Sequence, residues 1–294
     1  MTSPSFVSER AIRFAECDPA GIVYFPRFLE MVNDLTEDWF DQALGVPFDP
    51  LHFERQLGVP VVNTRIEFLK ACRLGERLAL ELAIVSLGRS SIVLRVRGLV
   101  GSEERIRLRH KLAMVSMKTM PYRATPIPED LRNGMARFVM ADATPGPDPE
   151  THSGAVPANA FRSPQLVRFA HCDPAEIVFY PRFFDLFTSV EEDWFAQGLA
   201  CPWGTDFMGP RNLRIPTLAI TAEFLGTCRL SEVIDFDLWV TRFGRSSMDF
   251  ALQGSVAGEP RLKAAMTVCV IDYSTFKSTP IPDDLRTRME RFRA

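Results

Sequence analysis

Histidine is scarce in this chain. Four occur in 294 residues, at 52, 110, 152 and 171, too scattered to suggest a metal cluster. Six cysteines are present (Cys17, Cys72, Cys172, Cys201, Cys228 and Cys269), yet no two form a CxxC pair. Their spacing suits neither a zinc site nor a small disulfide framework, and buried, reduced thiols are expected. No stretch approaches the ~18 apolar residues that a membrane span requires. The opening MTSPSFVSERAIRFAE has no continuous apolar run, so no secretory leader is read there. Charge of one sign is lacking too: the formal net charge is −3, which gives no long-range pull towards nucleic acid or anionic membrane. These absences predict a cytoplasmic, metal-free protein with no resident cofactor, no nucleic-acid partner and no membrane association.

What is present is a repeat. RFAECDPAGIVYFPRF begins at Arg13 and RFAHCDPAEIVFYPRF at Arg168, agreeing at 12 of 16 positions with their aspartates 155 residues apart. The likeness continues: EFLKACRLGE with EFLGTCRLSE, LGRSS with FGRSS, and ATPIPEDLR with STPIPDDLR. A period of this length means two copies of one domain. The segment from Ala141 to Ala160, ADATPGPDPETHSGAVPANA, is rich in Pro and Gly and has no apolar period, so it reads as a linker. The predicted organisation is domain 1–140, linker 141–160 and domain 161–294.

Each half shows the same order of elements. In the first, SFVSERAIRFA alternates as a strand. Phe28, Met31, Val32, Leu35, Trp39 and Phe40 then recur at helical spacing, which predicts a helix from Phe25 to Leu44 with Pro26 in its first turn and Gly45 as its stop. VPVVNTRIEFL, ERLALELAIVSL, SSIVLRVRGLV and ERIRLRHKLAMVSM follow as four strands. The second half predicts a helix from Tyr180 to Gln197 and four more strands, and each half closes on a short helix opened by PIPEDLR or PIPDDLR. The class is α+β, with a curved antiparallel sheet wrapped around one long apolar helix.

The stretch CDPAGIVYFP, set between a first strand and a long helix, resembles the 4-hydroxybenzoyl-CoA thioesterase family of hotdog-fold enzymes. The resemblance runs through the GRSS turn to the terminal PIPEDLR in both halves. It implies two tandem hotdog domains that pair within the chain as two subunits pair in relatives, and hydrolysis of acyl-CoA thioesters. CoA enters as part of the substrate. A homodimer of such double chains is a further expectation.

By the same resemblance Asp18 and Asp173 are the catalytic carboxylates, acting as nucleophile or as general base towards water. The backbone N–H of Phe25 and of Tyr180 is the donor that polarises the thioester carbonyl, and Gly21 lets the backbone approach the ligand. The chemistry fits: thioester hydrolysis needs a carboxylate near the carbonyl carbon, and a helix N-terminus offers unpaired N–H groups and partial positive charge. Arg89, Ser90 and Ser91, with Arg245, Ser246 and Ser247, are expected at the CoA arm, since arginine, hydroxyls and turn amides suit phosphate or pantetheine. Lys70, Arg73, Arg109, Lys111 and Lys263 are further candidates for the nucleotide phosphates. The position that meets the ring hydroxyl of an aromatic substrate falls on Asn33 and Thr188, where a 4-hydroxybenzoyl specialist has a carboxylate. That departure argues against 4-hydroxybenzoyl-CoA itself, and the many Phe, Met and Leu residues on the helices lead us to expect an aromatic or medium-chain acyl group. Two other readings stay open: a non-catalytic acyl-CoA-binding module, and a hydroxyacyl-thioester dehydratase, which needs a base such as His171.

The copies differ where Gly21 is replaced by Glu176. Added negative charge beside Asp173 disfavours its ionised form, and a Cβ is expected to close the conformation glycine permits. Asp18 is therefore expected to carry most turnover.

Overall fold

A computed structural model describes residues 5–141, 146, 149–152 and 154–294. Seven positions of the expected linker (142–145, 147, 148 and 153) lie outside the described residues. The chain divides into two compact units, Met1–Pro149 and Glu150–Ala294.

In the first unit the main elements are β1 (Phe6–Ala11), α1 (Phe25–Asp38), β2 (Val61–Phe68), β3 (Arg77–Leu87), β4 (Ser91–Val100), β5 (Glu103–Ala113) and α2 (Glu129–Ala136). The strands form an antiparallel sheet in the order β1–β3–β4–β5–β2. The second unit repeats this with β6 (Phe161–Leu166), α3 (Arg182–Asp193), β7 (Thr217–Phe224), β8 (Val233–Phe243), β9 (Ser247–Val256), β10 (Glu259–Cys269) and α4 (Asp283–Met289), in the order β6–β8–β9–β10–β7. Bulges recur at matching places, Ile84/Ser86 with Val240/Arg242 and Gly98/Leu99 with Gly254/Ser255. A bulge bends and twists its strand, which curls a sheet around what lies on its face.

Here that is the long helix. Phe28, Leu29, Met31, Val32 and Leu35 of α1 are buried, and Leu78, Leu80, Leu82 and Ile84 alternate inward from β3. Spacings of 3.6 and 2 thus meet in one core, each such side chain contributing about 1.5–3 kcal/mol on burial. In α3 the same face carries Phe183, Phe184, Phe187 and Val190. The first strand is tied to the far end of its helix, with the Ser163 hydroxyl donating to Asp193 at 2.6 Å and Gln165 at 2.9 Å.

The long helices differ from expectation at their ends. Both widen into a π turn, Trp39–Ala43 and Trp194–Gly198, where the Leu44 and Leu199 amides reach back five residues to Trp39 and Trp194. Gly45 then leaves at φ +68°. The second helix begins at Arg182, two residues later than read from sequence, because Tyr180 and Pro181 lie in a tight turn closed by the Arg182 amide on the Phe179 carbonyl. Cys72, Cys201 and Cys228 are buried, whereas Cys17, Cys172 and Cys269 are half-buried.

Candidate active site

The duplicated motif folds as one small hairpin in each unit. The Gly21 amide donates to the Asp18 carbonyl at 2.9 Å and the Asp18 amide to the Ile22 carbonyl at 2.9 Å. Asp first, Pro second and Gly last are the residues such a turn favours. The carboxylate itself is oriented, since Asp18 Oδ1 accepts the Ala20 amide at 2.8 Å. In the second unit Asp173 Oδ1 accepts the Ala175 amide at 2.9 Å, and Glu176 and Asp173 repeat the backbone bonds at 2.9 and 3.0 Å. Both aspartates are half-buried.

Bonds on either side hold the hairpin against the helix start. The Val23 amide donates to the carbonyl of buried Cys72, and Tyr24 to the carbonyl of Glu16, each at 2.9 Å. Val178 to Cys228 and Phe179 to His171 are their counterparts, at 2.8 and 2.9 Å. Glu16 therefore belongs to the scaffold: its Oε2 accepts the Arg13 amide at 2.6 Å and its other oxygen pairs with Arg10. His171 has the same post, its Nδ1 accepting the Arg168 amide at 3.1 Å. That bond leaves the neutral ring's proton on Nε2, so no lone pair remains for base catalysis.

Phe25 is the first residue of α1, and its N–H has no carbonyl one turn back within the helix to receive it. Tyr180, its counterpart, precedes the cap residue Pro181 of α3. The side chains beside these amides build an aromatic wall whose distant members, Phe68 and Phe224, the sequence did not single out. Phe25 meets Phe68 with ring centroids 6.0 Å apart and Phe28 meets Phe68 at 5.7 Å. Tyr180 and Phe183 meet Phe224 at 6.5 and 5.3 Å. The signal was available in the matched EFL segments, where Phe68 and Phe224 occupy the same place.

Glu176 corrects one expectation. It adopts φ +62°, close to the +75° of Gly21, and a Cβ built on Gly21 meets nothing within 4 Å. The side chain is accommodated in the left-handed region rather than closing it, at a cost of about 1–2 kcal/mol. The two turns therefore differ in charge and in this backbone strain, not in the space beside the aspartate.

The GRSS turns join β3 to β4 and β8 to β9, and their carbonyls are taken. Met114 donates to Ser90 at 2.7 Å and Ile127 to Arg89 at 2.9 Å, while Arg132 of α2 reaches the Gly88 and Arg89 carbonyls at 2.6 and 3.1 Å. In the second unit Val270 binds Ser246, Ile281 binds Arg245, and Arg286 of α4 reaches Gly244. The matched PIPEDLR and GRSS segments are thus partners, a link the sequence did not reveal. Ser91 and Ser247 are half-buried and their hydroxyls lie over the turn: a Cβ on Gly88 or Gly244 would sit 2.6 Å from them. The Arg89 and Arg245 side chains remain exposed, and Ser90 and Ser246 are half-buried.

Asn33 and Thr188 differ in state. Asn33 is half-buried and donates to Glu37 at 2.6 Å, whereas Thr188 is buried and donates to the Phe184 carbonyl of its own helix at 3.2 Å. Of the basic candidates, Lys70 pairs with Glu103 at 2.6 Å and Arg109 reaches the Gly146 carbonyl at 3.4 Å. Among the described residues no group of three or more His, Cys, Asp or Glu is placed to hold a metal ion, and no helix is long and apolar enough to cross a membrane.

A helix seated on a curved antiparallel sheet, with an oriented aspartate at the helix entrance, defines each unit as a hotdog domain. The chain belongs to the Thioesterase-like superfamily, whose family profile matches residues 12–135 and 167–289. It is similar to 1,4-dihydroxy-2-naphthoyl-CoA hydrolase of Synechococcus elongatus, 33% identical over 82 residues, covering 28% of this chain and 60% of that protein. It is also similar to 4-hydroxybenzoyl-CoA thioesterase of a Pseudomonas species, 29% identical over 92 residues, covering 31% of this chain and 65% of the relative. Each of these alignments therefore spans less than two thirds of the relative. Over nearly the whole chain the fold matches a 12:0-ACP thioesterase from Umbellularia californica, with a TM-score of 0.71 at 15% identity, covering 91% of this chain and 94% of that one.

Proposed function

We propose that this protein hydrolyses acyl-CoA thioesters, with an aromatic or medium-chain acyl group, using the carboxylates of Asp18 and Asp173. The observation that carries the reading is the twice-built hairpin: an aspartate oriented by its own turn, anchored one short loop before a helix N-terminus. Relatives named as acyl-CoA hydrolases support the substrate class.

The carboxylate attacks the thioester carbonyl carbon, or takes a proton from a water that attacks it. The carbonyl oxygen gains negative charge, which the backbone N–H of Phe25 or of Tyr180 stabilises together with the dipole of the helix that follows. Collapse breaks the C–S bond, and the CoA thiolate leaves and is protonated. On the nucleophilic route the resulting acyl–aspartyl anhydride is then cleaved by water, which restores the carboxylate and releases the acid. The Phe25–Phe28–Phe68 and Tyr180–Phe183–Phe224 walls offer apolar surface to the acyl group beside these amides. Arg89 and Arg245 are suited to a phosphate of the CoA arm.

Dehydration is disfavoured by the lone pair His171 has already committed. The test is release of free CoA from a panel of aromatic, short, medium and long acyl-CoAs, followed with a thiol reagent. Release from none of them, alongside a stable acyl-CoA complex, would establish a binding module instead.

A further inference from the structure

Glu191 lies on α3 and is 2% exposed. Among the described residues no hydrogen bond or ion pair reaches its carboxyl group, and its nearest charged influence is another acid, Glu192. Buried polar groups in folded proteins are almost always satisfied, so one that is not calls for an explanation. Burial pushes this carboxyl up to about 8, which keeps it a neutral acid at pH 7. In that form it is one O–H donor beside an acceptor oxygen.

Its place on the helix narrows the explanation. Glu191 follows Thr188 by three residues and Phe184 by seven, so the three share one stripe. It stands about 13 Å along the helix from the Arg182 start, by the rise per residue. Its surroundings on α3 are aromatic, with Phe184 and Phe187 5.3 Å apart and Phe187 against Phe236 at 5.9 Å. Thr188 is already bonded to its own helix. In the first unit the corresponding stripe is closed: Asn33 is held by Glu37, and Thr36, which occupies the place of Glu191, donates to the Val32 carbonyl at 2.8 Å. Among the described residues on this stripe, Glu191 has no such bond, although it is buried.

We infer that Glu191 is a specificity residue of the second unit, recognising an uncharged hydroxyl at the far end of the acyl group of an acyl-CoA. This rests on the thioesterase reading for its substrate class. A hydroxyl both donates and accepts, so it matches a neutral carboxylic acid in both roles, whereas an unsubstituted chain end leaves the acid unsatisfied.

The experiment uses the full chain carrying Asp18→Asn, so that turnover comes from Asp173, and compares Glu191 with Glu191→Gln and Glu191→Met. Aliphatic ω-hydroxyacyl-CoAs and ring-hydroxylated aromatic acyl-CoAs are assayed against their unsubstituted counterparts. For at least one pair the hydroxylated member is expected to be favoured roughly tenfold in kcat/KM, through KM, as one net hydrogen bond supplies. Glu191→Met removes the preference, and Glu191→Gln, which still donates and accepts, retains part of it. An unchanged preference in Glu191→Met, or none in its parent, overturns the inference. A second readout needs no turnover and no Met variant. The infrared carbonyl band of the protonated acid, identified by its loss in Glu191→Gln, should shift when a non-hydrolysable thioether analogue with the hydroxyl binds. A band unmoved by that bound analogue overturns the inference. If the wild-type chain hydrolyses no thioester, the functional reading fails on its own, and the infrared shift still decides the role of Glu191.

Discussion

At the scale of single residues, the two turn aspartates share one geometry, so the difference between them is electrostatic. Glu176 puts a carboxylate three residues after Asp173, where the first unit has Gly21. With saturating acyl-CoA, Asp18→Asn is expected to lose the larger share of CoA release and Asp173→Asn the smaller. The double variant should fall by about 100-fold or more, the scale of a positioned acid–base group. Equal halving by the two single variants would mean that Glu176 leaves its neighbour unaffected. Glu176→Gly makes a separate prediction about backbone strain. It relieves φ +62° in a residue with a side chain, so the second unit should gain about 1 kcal/mol in denaturant unfolding. Gly21→Ala should lose a similar amount through φ alone, since the added Cβ has room.

At the scale of elements, the GRSS turn that joins β3 to β4, or β8 to β9, is held by the terminal helix of the same unit. Arg132 spans the Gly88 and Arg89 carbonyls, and Arg286 reaches Gly244 while its guanidinium lies 5.0 Å from the Phe243 ring centroid. Charged hydrogen bonds to partly buried carbonyls contribute about 1.5–3 kcal/mol each. Arg132→Ala should therefore lower unfolding stability by about 2 kcal/mol and speed hydrogen exchange at Ile127 and Met114. Gly88→Ala should be destabilising because its Cβ meets the Ser91 hydroxyl at 2.6 Å. Adding Ser91→Ala should recover much of that loss, and a strictly additive double variant would show that the contact does not matter.

At the scale of the whole molecule, two buried titratable groups shape stability against pH from opposite sides. His110 is buried beside the Thr64 hydroxyl at 3.0 Å, and burial holds its pKa down to about 3. The unfolded chain takes up that proton below about 6.5 and the native chain does not, so stability falls as pH drops from about 6.5 towards 3. Glu191 works the other way. Its native pKa is raised to about 8, so its contribution is full below about 4.5, where both states are protonated, and is lost as pH rises to 8. Each pH unit of these windows is worth about 1.4 kcal/mol. Glu191→Gln is therefore expected to raise the urea midpoint clearly at pH 8 and hardly at pH 4. His110→Gln should flatten the acid limb between pH 6 and 4. Parallel pH profiles for variant and wild type would contradict these assignments.

The order of elements, the duplication, the turn around each aspartate and the closing helices were all legible in the sequence, because they rest on local rules. Apolar period separates helix from strand, Asp-Pro-Ala-Gly makes a turn, and Pro-Glu-Asp opens a helix. A repeat also lets the chain check itself, since two copies must satisfy one backbone. What the sequence left open was decided by groups far apart in the chain. The clasp of Arg132 on residues 88 and 89 crosses more than forty positions, and no local pattern encodes such a partner. The same holds for Phe68 closing on Phe25; Glu16 and His171 serve as turn caps through the Arg13 and Arg168 amides. Glu176 reads as an obstruction in sequence because glycine usually marks a crowded or left-handed site. Only the open space around that turn shows that a side chain fits. Whether Glu191 is a solvated acid or a buried neutral one depends on what packs over a helix face, and packing is a property of the fold, not of the helix that carries it.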